Sequence, residues 1–266
     1  MEVTLRRLIS QLGDSEMESF KVIGWGSPVP SFGDISRATV ATLGLNPSNR
    51  EFVDRNGNEL DGESRRFPTL GSLGIQRWSE ARSSHHAAIA ESCRGYFFRN
   101  PYDGWFKQLD HVIGGTEASY YDDDCQACHL DLIPFATACK WTDLSRHERQ
   151  RLMEMVGDTL ARLLVDSPVR ILVLNGRSVV EELQRLAESP FERREMTGWA
   201  LRRNGKARVA GFGYKGVLSR LAGVEFGREI LVLGYNHNLQ SSFGVTNEVR
   251  GSIRRWIAKE AREFLR

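Results

Sequence analysis

The sequence predicts an α/β fold, a three-layer α/β/α domain around a central, mainly parallel four-stranded sheet. Three observations predict it. Short apolar runs alternate with helical periodicities along the chain, as they do where crossover helices join parallel strands. The runs are nearly continuous in apolar residues, which is the mark of strands covered on both faces. Three of the four runs also end in polar turns and the second carries Asp131 near its end, as strands of an open sheet do where they meet a ligand edge. With 266 residues, 41% of them hydrophobic, and no repeat or low-complexity linker, one domain over residues 1–266 is expected. Residues 1–37 are expected as its N-terminal helical extension.

The elements follow in order. The opening "MEVTLRRLISQLGD" has the spacing of an amphipathic helix. It lacks the apolar core and small-residue cleavage site of a signal peptide. No apolar run approaches the ~20 residues needed to span a bilayer. A cytoplasmic monomer with no membrane contact is therefore expected. The first strand is expected at 38–45 and stops at Asn46-Pro47-Ser48-Asn49. Residues 46–74, rich in Gly, Asn and Arg, read as a long functional loop. A helix over 105–113 ends at Gly114-Gly115. The second strand is expected at 129–135. Ser145 and Glu148 form a capping-box pattern opening one long helix toward Leu164. The third strand, 169–174, is followed by a second such pattern at Ser178 and Glu181. The region 189–228 gives no clear reading. The fourth strand is expected at 229–235. Thr246 then caps a last helix whose Val249, Ile253, Trp256 and Ile257 share one face. Trp105 and Trp256 read as core.

Charge and cysteine content narrow the partners. A net charge of +2 decides nothing by itself. The stretch 193–215 carries seven Lys and Arg residues around Trp199, Phe212 and Tyr214. That pattern suits phosphate and base contacts, and equally a solvated surface. Cys125-Gln-Ala-Cys128 with His129 begins a metal-like pattern, but Cys93 and Cys139 do not complete a standard zinc spacing. Reduced thiols, no metal and no cofactor are expected.

Parallel strands would bring four polar groups to one edge: Asn46, Asp131, Asn175 and His237 with its flanking Asn236 and Asn238. No nucleophile elbow, Walker loop or H-E-x-x-H occurs. An amide and a histidine across a cleft suit a reaction with a good leaving group, which needs only a placed water and a donor for developing negative charge. The small hydroxyl and amide residues in the turns can present N–H groups to phosphate.

Three stretches carry a resemblance. "GLNPS", Gly44 to Ser48, resembles the first motif of the uracil-DNA glycosylase superfamily, in its mismatch-specific and single-strand-selective branches. "HLDLIPF", His129 to Phe135, resembles the base-recognition strand, and "GYNHNLQSS", Gly234 to Ser242, the second motif. They occur in the family order over about residues 40–245. The resemblance implies an enzyme that flips a nucleotide out of DNA and hydrolyses its N-glycosidic bond. It implies that Asn46 holds the attacking water and that His237 stabilises charge on the base carbonyl. Leu239 or Gln240 would be the wedge entering the duplex. Phe67, then Phe52, would stack on the flipped base, with Leu45 and Asp131 completing the base pocket. Ser48, Asn49, Arg50, Asn175, Arg177, Asn238, Ser241 and Ser242 would join Leu239 and Gln240 against DNA.

The sequence departs from the family pattern in three places. Ser48 stands where Gly is usual, and the second motif lacks both prolines. Asp131 stands where uracil-cleaving relatives have Asn. An ionised Asp is acceptor-only, so it is repelled by O4 of uracil and suited to the N4 amine of cytosine. The favoured substrate is therefore a 5-modified cytosine, hydroxymethylated or glucosylated, as found in phage DNA, with antiviral defence as the role. Ordinary cytosine is excluded, since its removal would destroy the host genome. The alternatives are a uracil or 5-hydroxymethyluracil repair glycosylase, a non-catalytic nucleic-acid-binding module, and an iron–sulfur member of the superfamily.

Overall fold

The computed structural model describes residues 2–13, 17, 19–99, 103–124, 126–203, 206–240 and 242–266. Its centre is a six-stranded sheet. The first four strands in spatial order are β2 (Ala127–Asp131), β1 (Val40–Gly44), β3 (Ile171–Asn175) and β8 (Val224–Tyr235), all mutually parallel. These are the four strands expected from the sequence, with ends shifted by a few residues. Two more were missed. The strands β7 (Phe212–Leu221) and β4 (Glu192–Glu195) add antiparallel beyond β8. They lie in the region that gave no sequence reading, because β7 alternates with exposed polar residues and all four β4 residues are exposed. A separate hairpin pairs β5 (Leu201–Arg203) with β6 (Lys206–Val209).

Successive β1 residues point to opposite faces: Val40 joins one apolar cluster, Ala41 and Leu43 the other. The first face is covered by α4 (Asp103–Ile113) and α8 (Asn247–Leu265), through Leu109, Val112, Ile253 and Ile257. The second is covered by α6 (Thr159–Val165) and α7 (Arg177–Ala187), through Leu160, Leu164, Val180 and Leu183. The layers are therefore α/β/α. A third cluster, beside the sheet, packs α1 (Glu2–Leu12) against Trp78, Ile89 of α3 (Ser83–Arg94), and Leu152 and Val156 of α5 (Arg146–Val156). A short turn of helix, α2 (Leu70–Leu73), is capped by Thr69.

Several local expectations change. Within residues 1–37 the helix α1 is formed as expected; farther on, Phe32 crosses the outer edge of β2 and exchanges backbone hydrogen bonds of 2.8 and 2.9 Å with His129. The expected long helix from Ser145 is capped as predicted, but breaks into α5 and α6 at Gly157, whose φ of +48° ends the first segment. Asp158, the next residue, is held by Arg7 and Arg162. Ser178 is not a cap: Gly176, at φ +101°, takes the N-cap position of α7 without a side-chain bond. Thr246 caps α8 as expected, accepting from Val249 N. In the basic stretch Trp199 and Tyr214 are buried, and Arg193 lies over the ring of the partly buried Phe212 at 3.7 Å. Among the described residues, no helix is long and apolar enough to cross a membrane.

Candidate active site

The chain passes from β1 to β2 on one side and later to β3 on the other, so the strand order reverses between β1 and β3. A crevice opens beyond the carboxyl ends of strands at such a point. A cleft of about 580 Å³ lies there. Gly44, Leu45, Asn46 and Ser48 follow β1 into it, and His129 and Asp131 enter from β2. Asn175 to Val179 bring the N-terminus of α7, while Asn236, Asn238 and Ser242 come from the loop after β8. Phe32, Trp105 and Phe106 supply an aromatic wall. The volume and mixed lining suit a small flat ring with a few directed polar contacts. A larger groove of about 820 Å³, between α5 and α7, holds Arg and Glu side chains and none of the strand-end groups.

Asn46 has a fixed amide. Its Nδ2 donates 2.9 Å to Thr137 Oγ1 and 3.1 Å to Pro47 O. Thr137 in turn donates to Cys139 O at 2.7 Å, so its hydroxyl must accept from Asn46. Both roles of the amide nitrogen are thus set, and Oδ1 is left as an acceptor. Ser48, at φ −70° and ψ 149°, needs no glycine-like conformation. Its hydroxyl accepts from Arg50 N and starts a single 3-10 turn over Asn49–Glu51.

Asp131 sits directly over Gly44, its register partner across the sheet. A Cβ on Gly44 would lie 2.3 Å from Asp131 Oδ1 and 2.9 Å from His129 Nε2. Glycine is therefore required for the carboxylate to occupy this place. Asp131 Oδ1 is 3.5 Å from His129 Nε2. Behind it, His129 Nδ1 is 2.7 Å from Thr42 Oγ1, which is 2.5 Å from the Tyr120 hydroxyl. Burial raises Tyr120 well above the usual phenol range, so it remains a neutral hydroxyl. This buried chain fixes the His129 ring and, through it, the position of Asp131.

Glu51 is the other carboxyl on the cleft, and it is only 3% exposed. Oε1 accepts from the Tyr96 hydroxyl at 3.0 Å. Oε2 is buried and has no hydrogen-bond partner among the described residues. Burial pushes the carboxyl up from 4.5 to about 8, with Asp131 adding to the rise and Arg66 and Tyr96 opposing it.

The other residues proposed from the sequence divide into two groups. Leu45, Ser48, Asn175, Arg177, Asn238 and Ser242 line the cleft with Asn46 and Asp131. Asn175 also clamps the neighbouring loop, accepting from Leu239 N and donating to Gln240 Oε1. Arg177 pairs with Glu181 one turn along α7. Asn49 and Arg50 belong to the 3-10 turn, tied to Ala138 O and Asp54 O respectively. Ser241 and Cys125 lie outside the described residues.

The second group is turned away from the cleft. His237 is 2% exposed, and its Nε2 meets Trp199 O at 2.7 Å. A ring nitrogen facing a carbonyl carries the proton, and burial lowers this histidine below its usual range, so it is a neutral structural donor. Leu239 is buried in the core rather than poised as a wedge, and Gln240 is held by Asn175 and Trp105 O. In the loop after β8, His237 and Leu239 thus turn inward, while Asn238 and Ser242 line the cleft. Phe52 and Phe67 are both fully buried, Phe67 stacking on Tyr96 at 5.5 Å, so neither presents a face to a ligand. Trp105, read as core, instead lines the cleft and is half-buried.

The residues missed were Glu51, His129, Phe32, Trp105 and Phe106. His129 had a usable signal, since it lies two positions before Asp131 and so on the same face of the strand. Comparison with protein-family models and with curated proteins found no match.

Proposed function

We propose that this protein is a DNA glycosylase that hydrolyses the N-glycosidic bond of a flipped, modified pyrimidine and leaves an abasic site. The observation that carries the reading is the pairing of Asn46 and Asp131 in one base-sized cleft with an aromatic wall. Asn46 Oδ1, oriented by Thr137, accepts from the attacking water and holds it against C1′. Asp131 accepts from the base edge, and as an anion it favours the amine of a cytosine over the carbonyl of uracil. Trp105, with Phe32 and Phe106, takes the stacking role first assigned to Phe67 and Phe52. The N-terminus of α7, with Ser48, Asn238 and Ser242 on the rim, suits the flanking phosphates. Phe243, 68% exposed on the loop after β8, is the side chain placed to enter the duplex in place of Leu239.

The favoured base is a 5-modified cytosine, hydroxymethylated or glucosylated, and the favoured role is defence against phage DNA that carries it. Oligonucleotides containing uracil, 5-hydroxymethyluracil, 5-hydroxymethylcytosine or its glucosylated form separate the substrates. Abasic sites confined to the glucosylated or hydroxymethylated cytosine strands, and lost in Asn46→Ala, are expected. Abasic sites in the uracil strand alone would remove the Asp131 argument. The inward position of His237 favours one second reading, a nucleic-acid-binding module without catalysis. DNA binding by both parent and Asn46→Ala, with no excision by either, would establish that reading instead.

A further inference from the structure

The cleft holds an acceptor for water and an acceptor for the base, but His237 is not available as a donor for the charge that builds on the departing base. That donor matters more for cytosine than for uracil. The uracil anion spreads its charge over two carbonyls, whereas cytosine has one and leaves less readily.

We infer that Glu51 is the group that donates to the departing base, through Oε2, to the acceptor atom of the base edge that lies beside the amine read by Asp131. This rests on the glycosylase reading. Four observations support it. Glu51 lines the cleft while almost wholly buried. Its Oε1 is occupied by the Tyr96 hydroxyl, so in the neutral acid the proton belongs on Oε2. Oε2 has no partner among the described residues, and a buried O–H without an acceptor is costly until a ligand supplies one. The groups acting on Glu51 are Tyr96 from the turn after α3, Arg66 from the loop before α2, and Asp131 from β2, whose charge discourages a second anion beside it. A donor next to an acceptor matches the edge of a cytosine, where the N4 amine lies beside the N3 lone pair.

The reaction then balances. The water held by Asn46 adds to C1′ as the C1′–N1 bond breaks, and that electron pair leaves with the base. The Oε2 proton moves to N3, so the base departs neutral and Glu51 is left as a carboxylate. The proton lost by the attacking water passes to solvent, and solvent reprotonates Glu51 after the base has gone. The burial that carries Glu51 to about 8 also keeps it in the donating form at the pH of a cell.

The test is single-turnover excision from the modified-cytosine oligonucleotide, from roughly pH 6 to 9.5, by the parent, Glu51→Gln and Tyr96→Phe. The parent rate should hold to about pH 8 and then fall tenfold per unit. Glu51→Gln keeps the shape and a donor but has no proton to give, so it should lose on the order of 100-fold at neutral pH and lose the alkaline limb. Tyr96→Phe removes a bond that favours the ionised form, so its limb should move to higher pH. A purely structural Glu51 would move neither limb. Infrared spectra give a readout independent of catalysis: the parent at pH 7 should show the carbonyl stretch of a neutral carboxylic acid, absent from Glu51→Gln. Parent-like rates and an unchanged limb in Glu51→Gln, or no neutral-acid band in the parent, overturn the inference even where excision is real. A parent that excises no base overturns the glycosylase reading, and this inference with it.

Discussion

Replacing Glu51 by Gln should make the protein more stable at neutral pH, and the gain should depend on pH in a defined window. The carboxyl ionises near 4.5 when exposed and near 8 in the fold. A folded value above the unfolded one means that the native state holds a proton the unfolded chain releases. The contribution of Glu51 to stability is therefore fully present below 4.5 and is lost as pH rises toward 8. Each unit in that window costs about 1.4 kcal/mol. The loss is then ~3 kcal/mol at pH 7 and about 5 kcal/mol on the plateau above the folded value. Glutamine remains neutral throughout, and its amide oxygen can accept from Tyr96 as Oε1 does. Urea unfolding of the two proteins at several pH values measures the difference. The midpoints should coincide near pH 4.5 and separate by roughly 1 M at neutral pH, with equal slopes. A gap of the same size at pH 5 and pH 8 would mean that Glu51 is not a buried acid, and the reasoning would fail at its first step.

Four further outcomes follow from the geometry. His237→Ala removes the bond to Trp199 O, so it should lose about 1–3 kcal/mol of stability while excision stays within about tenfold; a thousandfold loss in a well-folded protein would return His237 to the chemistry. Gly44→Ala places a methyl 2.3 Å from Asp131 Oδ1, so substrate binding should weaken sharply with only about 1–3 kcal/mol of destabilisation, and unchanged kinetics would contradict the placement of Asp131. Phe67→Ala should cost about 3–5 kcal/mol by opening the core. Trp105→Ala should instead weaken base binding by about 1–3 kcal/mol, read as KM, with kcat less affected.

The parts of the fold legible in the sequence were those decided locally. The parallel strands carry apolar runs where both faces are covered, as over residues 171–174 of β3 and 230–233 of β8, and that signal does not depend on what covers them. The caps at Ser145 and Thr246 are equally local, each a side chain bonding a nearby N–H. The strands β7 and β4 were not legible, since an exposed antiparallel edge takes charged residues such as those of Glu192–Glu195. The break at Gly157 was present in the sequence as a glycine, but a glycine inside a helical pattern is ambiguous until the backbone adopts a positive φ.

The site divides along the same physical line. The rule that ligands meet parallel strands at their carboxyl ends located Asn46, Asp131 and Asn175 on one cleft without any contact being known. It failed for His237 because a strand end fixes where the chain emerges and not which way a side chain turns; the His237 ring turns inward to the carbonyl of Trp199, 38 residues away. Phe52 and Phe67 failed for a related reason. An aromatic in a polar loop reads as a ligand contact, yet these two join Phe32 and Tyr96 in a cluster assembled from distant segments. That cluster also accounts for Glu51. In the sequence "SNREF" it reads as one more solvated charge, yet in the fold it is buried and bonded by the Tyr96 hydroxyl. A charged residue buried without a full set of partners is costly to a fold. In Glu51 that cost falls on a side chain that lines the cleft, where a substrate can supply the missing acceptor. The most informative residue of the site is thus the one whose chemistry is set wholly by tertiary packing.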